Sequence, residues 1–211
     1  MTLYEIILDI DGTILSFYHF LAEAAGGFLT PLMKLITLVG EKGILMFLLA
    51  AVLILFPKTR RAGVCIFGAV CCGALITNII LKDSVARLRP FEADALFREW
   101  WQFVGTPAED GFSFPSGHVT AATAGMLALC LTRGKKWIAP SAIYIVLMAA
   151  SRNYLMAHYP SDVLAAMLVG AFSAIVAYMI TRMIFSFLEK KKENKFCAFL
   201  LEFEPIKLKR T

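Results

Sequence analysis

Two long stretches without a charged residue constrain the fold of this chain most strongly. Residues 62–81 carry no charge over twenty positions, and residues 163–181 carry none over nineteen. About twenty consecutive apolar residues are enough to cross the hydrocarbon core of a bilayer as an α-helix. The 211 residues are 59% hydrophobic and only 18% charged, which is too apolar for an ordinary water-soluble domain. We therefore predict an all-α, polytopic membrane bundle.

Three shorter apolar blocks accompany these two, at residues 43–56, 119–132 and 137–150. Each block gives about 21 Å of helix, whereas the hydrocarbon core is about 30 Å thick, so each helix must extend into its polar flanks. Residues 16–39 contain charges, a Gly-Gly pair and a proline, so they form either a broken span or a helix lying in the interface. The preferred count is six transmembrane helices, of which five are firm and the N-terminal one is ambiguous.

These blocks suggest three parts of the chain. Residues 1–42 are an amphipathic or first transmembrane segment, residues 43–188 the transmembrane core, and residues 189–211 a basic cytoplasmic tail. We expect no signal peptide, because the start lacks a basic stretch and a short apolar core followed by small residues. The five cysteines have no spacing that indicates a disulfide framework or a zinc site, so free thiols are expected.

Charge is distributed unequally between the two ends of the predicted spans. Residues 57–61, 132–136 and the tail from residue 182 onward are strongly basic, whereas loop 82–118 holds four Lys or Arg against six Asp or Glu. The positive-inside rule places the basic ends in the cytoplasm, so loops 82–118 and 151–162 face outward across a plasma membrane. This asymmetry accounts for the net charge of +5 without a nucleic-acid partner.

The outward loops hold most of the unusual polar residues. In KDSVARLRP, Lys82 and Arg89 are seven residues apart and would share a face if the helix ran on to Pro90, which should end it. Arg87 would point elsewhere, as a solvated or headgroup contact. In FPSGH, a turn at Ser116 and Gly117 leads into a span at His118, and free N–H groups at such a helix start bind anions.

The third polar stretch is SRNYLMAHYPSD. Arg152 ends one span, and His158 and Asp162 precede the next, with Asp162 in its first turn. The carboxylate could reach a ring nitrogen of His158, which would fix the tautomer and leave the other nitrogen free to react. Cations beside oriented N–H groups are what a phosphoryl group requires, with one histidine to attack phosphorus and another to protonate the leaving oxygen.

These three stretches, in this order along the chain, resemble the signature motifs of the type 2 phosphatidic acid phosphatase superfamily. The motifs are Lys82 followed after six residues by Arg89 and Pro90, PSGH at 115–118, and Ser151-Arg152 followed by His158 and Asp162. The resemblance covers residues from about 60 to 185. It implies an integral membrane enzyme that removes phosphate or pyrophosphate from a lipid without a metal or other cofactor.

The resemblance also implies a role for each motif residue. His158 would be the nucleophile that forms a phosphohistidine, Asp162 would orient it, and His118 would protonate the lipid leaving group and then activate water. The phosphate would be held by Lys82, Arg89, Arg152, Ser116 and Gly117. The lipid is left open, with undecaprenyl pyrophosphate or phosphatidylglycerophosphate favoured over phosphatidic acid and diacylglycerol pyrophosphate.

Other interpretations remain beside this one. A transporter or lipid flippase would place its charges near mid-membrane, whereas these lie at one end of the spans. A lipid-binding protein without turnover stays possible. A metal site of His118, His158 and Asp162 is disfavoured because three nearby cations would repel a divalent ion.

Residues 91–103 are aromatic-rich and are expected to form an interfacial belt or a lip for the lipid tail.

One motif points to different phosphatase chemistry. The stretch LDIDGTIL, residues 8–15, is similar to the nucleophile loop of the haloacid dehalogenase phosphatases, with Asp9 in the nucleophile position. Such a site needs a doubly wound soluble domain and later magnesium-binding loops, and neither follows here. We therefore predict that Asp9 and Asp11 are polar residues at the membrane surface.

Overall fold

The computed structural model describes residues 2–203, and its regular elements are all helical over that range. The main helices are α1 (Leu3–Ala24), α2 (Leu29–Val39), α3 (Ile44–Leu55), α4 (Pro57–Ala74), α5 (Lys82–Val85), α6 (Pro90–Ala93), α7 (Ala95–Phe103), α8 (Gly117–Arg133), α9 (Ile138–Tyr154), α10 (Pro160–Lys190) and α11 (Lys195–Glu202). A π-helical segment, Leu75–Leu81, joins α4 to α5. Short 3₁₀ turns, Glu41–Gly43 and Lys135–Trp137, precede α3 and α9.

All five apolar blocks are helical, as predicted. Three segments are long and apolar enough to cross a membrane, namely Leu29–Leu55, Pro57–Ala93 and Pro160–Lys190, among the residues described. Helices α8 and α9 have 17 residues each, or about 25 Å, which is near the lower limit for a span. Large apolar side chains such as Leu168 and Ile79 are more than 70% exposed, as expected where lipid surrounds the bundle. The count of six spans remains a prediction.

The ambiguous residues 16–39 are broken into two helices. The break falls at Gly26 and Gly27, whose positive φ angles of 54° and 78° suit glycine and end the helical path of α1. Both halves contact the same end of the bundle, because Ala22 of α1 packs in a buried cluster with Tyr154 and Leu155, and Thr30 of α2 hydrogen-bonds Tyr154. The second half also belongs to the candidate span Leu29–Leu55, so both alternatives for this segment, a broken span and an interfacial helix, stay predictions.

The core of the bundle is formed by α4, α8 and α10, which pack closely on one another. Small residues allow this approach, as in many membrane helices. A side chain at Gly170 would lie 2.8 Å from the Thr120 carbonyl oxygen, and one at Gly63 would lie 2.6 Å from the Ala50 carbonyl oxygen. The backbones of α10 and α8, and of α4 and α3, therefore meet directly, which fixes the N-terminal ends of α8 and α10 beside each other.

Between α5 and α6 the chain departs from the predicted geometry. The helix does not run on to Pro90, because it ends at Val85 and Ala86 adopts a left-handed conformation with φ 49°. Arg89 has extended backbone, as the following proline favours, and Pro90 begins α6. The prediction that Lys82 and Arg89 share one helical face is therefore wrong.

At the opposite end, the tail packs back on the bundle. Helix α10 continues past the predicted core boundary at residue 188 to Lys190, and α11 follows. Arg60 is buried and donates to the carbonyl oxygens of Ile54, Leu200 and Leu201 at 2.9 to 3.0 Å, which caps the C-terminus of α11. The remainder of the predicted basic tail, residues 204–211, lies outside the described residues.

Candidate active site

His158 lies in the short connection between α9 and α10. Every residue from 151 to 160 is buried, and His158 itself is 2% exposed. Its Nδ1 atom lies 2.7 Å from the carbonyl oxygen of Ser113. A carbonyl only accepts hydrogen bonds, so Nδ1 must carry the proton and Nε2 is left with a free lone pair. Nε2 lies 3.5 Å from a guanidinium nitrogen of Arg89.

Asp162 supports His158 in a less direct way than predicted. Its carboxylate is 3.8 Å from Nδ1, which is an ion-pair distance and too long for a hydrogen bond. The same oxygen accepts hydrogen bonds from the Ser113 hydroxyl at 2.5 Å and the Tyr159 N–H at 2.9 Å. Asp162 therefore holds the segment whose carbonyl orients the imidazole. Ser113 was missed by sequence reasoning, and no local signal distinguishes it from a neutral loop residue.

Arg87 and Asp11 form a second layer behind Asp162. Arg87 pairs with Asp162 at 2.6 Å and with Asp11 at 2.8 Å, and its guanidinium carbon lies 3.8 Å from the centre of the Tyr159 ring. Asp11 also accepts hydrogen bonds from the Ser161 N–H at 2.8 Å and hydroxyl at 2.6 Å. The predictions that Arg87 is a solvated or headgroup contact and that Asp11 is a surface residue are therefore wrong, because both belong to this buried network.

The stretch LDIDGTIL lies inside helix α1, Leu3–Ala24. The nucleophile loop of a haloacid dehalogenase site would follow a buried strand, so this position excludes that reading. Asp9 is exposed and Asp11 is 1% exposed. The motif contributes a structural carboxylate to the neighbourhood of Asp162.

The start of α8 brings His118 beside this site. Ser116 is the N-cap residue, and its own N–H approaches the Asp162 carbonyl oxygen at 3.4 Å. Over residues 2–203, the buried polar atoms without a hydrogen-bond partner include His118 Nε2, the Ser116 hydroxyl and Arg152 Nε. Buried polar groups are normally paired, so these atoms are available to a ligand.

Two buried arginines complete the cationic side of the site. Arg89 is 2% exposed and Arg152 is fully buried. The Glu109 carboxylate, on the loop between α7 and α8, bridges them: one oxygen is 3.1 Å from Arg89 and the other pairs with Arg152. Glu109 was also missed from the sequence, because only its position in space distinguishes it from the other acids of loop 82–118.

These groups surround a cavity of about 570 Å³. Of the eight predicted site residues, five line it, and they are Lys82, Arg89, Gly117, His118 and His158. Arg152 reaches the cavity through its pairing with Glu109, while Asp162 stands behind His158 and Ser116 caps α8. The cavity is also lined by residues that the motifs do not contain, including Thr37, Asn78, Thr120 and Asp110.

The electrostatic environment favours a neutral His158 and an ionised Glu109. Burial lowers the pKa of His158 to about 4; the Asp162 carboxylate opposes this shift, and Arg152 and Arg89 reinforce it. Burial alone would raise the pKa of Glu109, but the positive charges of Arg152 and Arg89 outweigh it and hold that pKa below its usual value. At neutral pH the site thus presents an uncharged imidazole lone pair beside fixed cations.

The other sequence features fall around this site. His19 stacks on Trp100 at 4.6 Å and pairs with Glu23, so the third histidine binds α1 to α7 away from the cavity. In the aromatic stretch 91–103, Phe91 stacks on Trp101, with the ring centres 4.4 Å apart.

No group of three or more His, Cys, Asp or Glu side chains in the described part of the chain is arranged to hold a metal ion.

The fold and the site define a class of protein: a helical integral membrane protein with a histidine-bearing, cation-lined cavity at one end of the bundle. The model of the family described as the PAP2 superfamily matches residues 62–186, more than half of the chain. The chain belongs to the PAP2 superfamily, which confirms the resemblance found in the three motifs.

Similar proteins are lipid phosphatases by name. The chain is 31% identical over 136 residues to an undecaprenyl-diphosphatase of Sulfolobus acidocaldarius, covering 62% of this chain and 60% of that protein. It is 33% identical over 108 residues to a lipid A 4′-phosphatase of Bacteroides thetaiotaomicron, covering 49% and 46%. It is 40% identical over 92 residues to a phosphatidylglycerophosphatase B of Haemophilus influenzae, covering 39% and 35%. The chain thus spans six tenths or less of the length of these relatives.

A solved structure shares the fold over nearly the whole chain. The crystal structure of a transmembrane PAP2-type phosphatidylglycerolphosphate phosphatase from Bacillus subtilis superposes with a TM-score of 0.56. The match covers 92% of this chain and 96% of that one at 21% sequence identity. At this identity the likeness concerns the fold alone.

Proposed function

We propose that this protein is a membrane lipid-phosphate phosphatase that works through a phosphohistidine. The observation that carries the proposal is the hydrogen bond from His158 Nδ1 to the Ser113 carbonyl, which leaves Nε2 unprotonated and next to Arg89. A neutral imidazole nitrogen with a free lone pair can attack phosphorus directly. The names of the relatives support a lipid phosphate as the substrate.

The reaction divides into two displacements at phosphorus. In the first, His158 Nε2 forms a bond to the terminal phosphorus while the bond from that phosphorus to the lipid oxygen, or to the α-phosphate oxygen of a lipid pyrophosphate, breaks, and protonated His118 gives that leaving oxygen its proton. In the second, His118 takes a proton from water, which displaces the histidine and releases inorganic phosphate. Lys82, Arg89 and Arg152 balance the charge on the phosphoryl oxygens in both steps, which is the main contribution a protein makes to phosphoryl transfer.

Substrate and orientation form the finer part of the proposal. Undecaprenyl pyrophosphate and phosphatidylglycerophosphate are favoured, since an undecaprenyl-diphosphatase and a phosphatidylglycerophosphatase B are among the similar proteins. The basic loops at the opposite end of the bundle support an active site on the extracytoplasmic side of the plasma membrane. The position of the α8 N-terminus at the site and the three cations support catalysis without a metal or cofactor.

Phosphate release from defined lipids tests the proposal. The detergent-purified protein would be offered undecaprenyl pyrophosphate, phosphatidylglycerophosphate and phosphatidic acid in excess EDTA, with His158→Ala as the inactive control. We expect release that survives chelation and is lost in the variant. Release that needs magnesium would contradict the metal-free mechanism. Binding of these lipids with no release from any of them would favour the transport or lipid-binding alternatives.

A further inference from the structure

Glu109 occupies the position between the two buried arginines of the site. Its side chain is 9% exposed, while those of Arg89 and Arg152 are 3% and 0% exposed. Each carboxylate oxygen faces a different guanidinium, so one anion neutralises both cations. Two buried guanidiniums without a counter-ion would be strongly unfavourable, which explains why an acid is held here.

The hydrogen bonds of Arg89 leave little room for a second anion. Three of its five N–H groups donate to the carbonyl oxygens of Ala157 at 2.9 Å, Asp110 at 2.8 Å and Gly111 at 2.9 Å. The Nη1 atom that bonds Ala157 also lies 3.5 Å from His158 Nε2 and 3.1 Å from the Glu109 carboxylate. A phosphoryl oxygen that binds between Arg89 and Arg152 must therefore take the place of a carboxylate oxygen.

Charge makes joint occupation by Glu109 and a phosphate unfavourable. A phosphomonoester carries close to two negative charges at neutral pH, and like charges a few ångströms apart in a poorly solvated site repel strongly. The neighbours of Glu109 in the loop, Ala108 and Asp110, are exposed, so water is available on one side of this segment. The carboxylate can turn towards that water without repacking the bundle.

We propose that Glu109 is a resident anion of the phosphate subsite, which substrate must displace and which thereby sets the affinity of the site for phosphate. The proposal rests on the proposed function for the identity of the anion. A competing carboxylate weakens the binding of every phosphate. The loss of affinity is largest for phosphate groups that carry too little negative charge to replace the carboxylate at both arginines. Glu109 therefore selects for dianionic phosphates over phosphodiesters, and it helps to expel the inorganic phosphate product.

Binding of inorganic phosphate to the full-length, detergent-purified protein tests this role without turnover. Glu109→Gln keeps the size of the side chain and removes the charge, and Glu99→Gln removes an equal charge from the exposed surface of α7. We expect Glu109→Gln to bind phosphate about tenfold or more tightly than the wild type, by isothermal titration, because the competing charge-assisted pairs are gone. Glu99→Gln should match the wild type.

Two further measurements keep the test decisive. Phosphate should raise the Tm of Glu109→Gln more than that of the wild type, because the wild-type arginines already have an anion. If Glu109→Gln does not fold, Glu109→Asp should show a smaller tightening, since its shorter side chain cannot reach both arginines. Unchanged or weaker phosphate binding in the folded variants, or no binding in any of them, would overturn the proposal and leave Glu109 as a residue that only aligns the arginines.

The outcome is separable from that of the proposed function. Tighter phosphate binding in Glu109→Gln, with no lipid hydrolysed by the wild type, would support the resident anion and contradict the phosphatase. Lipid hydrolysis by the wild type, with the same phosphate affinity in both proteins, would contradict the resident anion alone.

Discussion

Asp11 gives the sharpest test of the network behind the site, because the neighbouring Asp9 is a matched control in the same helix. Asp11 is 1% exposed and accepts hydrogen bonds from Arg87 and from two groups of Ser161 at 2.6 to 2.8 Å. Asp11→Asn removes the charge from a buried ion pair while it keeps the shape. Asp9→Asn makes the same chemical change at an exposed position.

The expected cost of Asp11→Asn follows from these contacts. Removing one partner of a buried ion pair costs about 3–5 kcal/mol. Arg87 keeps Asp162 as a partner and its side chain is 17% exposed, which places the cost at the lower end, at about 3 kcal/mol. For a chain of this length each kcal/mol lowers the Tm by about 2–4 °C, so we expect a decrease of about 6–12 °C. Asp9→Asn should change the free energy of unfolding by less than about 0.5 kcal/mol.

Thermal unfolding of the purified variants in one detergent, at one scan rate, would measure the difference. The double variant Asp11→Asn with Arg87→Gln isolates the pair, since coupled residues cost less together than the sum of the two single changes. Equal Tm values for Asp11→Asn and Asp9→Asn would refute the reasoning, because the buried contacts of Asp11 would then contribute nothing. Strict additivity in the double variant would mean that the loss arises elsewhere, at Ser161.

Two further predictions concern the protonation of His158 and the packing of the core. In protein with ¹⁵N-labelled histidine, NMR should show His158 with a protonated Nδ1 and an unprotonated Nε2 from neutral pH down to about pH 5, since its pKa lies at about 4. The signals of His158 are identified by their loss in His158→Ala. Titration of His158 near pH 6.5 would contradict the buried, neutral imidazole. Gly63→Ala should lower the free energy of unfolding by about 2–3 kcal/mol, because its new methyl group would meet the Ala50 carbonyl oxygen at 2.6 Å. Gly68→Ala in the same helix would meet Ala177 only at 3.6 Å and should be neutral or slightly stabilising; equal losses at both glycines would argue against close packing of α3 and α4.

The helices and the motif residues could be predicted because both depend on local sequence. Apolar blocks at residues 62–81 and 163–181 have few alternatives to helix in lipid. Ser116 of the PSGH turn stands at the N-cap position of α8, although its hydroxyl makes no capping hydrogen bond, and Pro160 begins α10, as expected from the preferences of helix starts. The residues of the three motifs gather at one end of the bundle because each motif adjoins an end of a helical segment.

The missed features all depend on contacts between distant parts of the chain. Ser113 matters only because its carbonyl faces His158, and Glu109 only because it reaches Arg89 and Arg152. Partners that lie 43 and 45 residues apart, as Glu109 and Arg152 and as Ser113 and His158 do, leave no periodicity for a sequence pattern to detect.

The error over Arg87 and Asp11 has the same origin. Neither residue is apolar, and neither belongs to the motifs that resemble the family. Burying an unpaired charge is strongly unfavourable, and the sequence alone does not show which oppositely charged partner would offset that cost for Arg87 or Asp11. The stretch LDIDGTIL resembles a nucleophile loop, but its second aspartate approaches the site only as a support for Asp162 through Arg87.

The burial of residues 151–160 has a consequence for how proteins of this kind diversify. A connection without an exposed position offers few sites where a substitution is tolerated, so we expect His158 and its supports to vary little among such proteins. The loop that carries Glu109 has exposed residues on either side of it and is expected to tolerate more substitutions. If the proposed function holds, differences in lipid specificity would therefore accumulate in the loop that carries Glu109 rather than in the connection that carries His158.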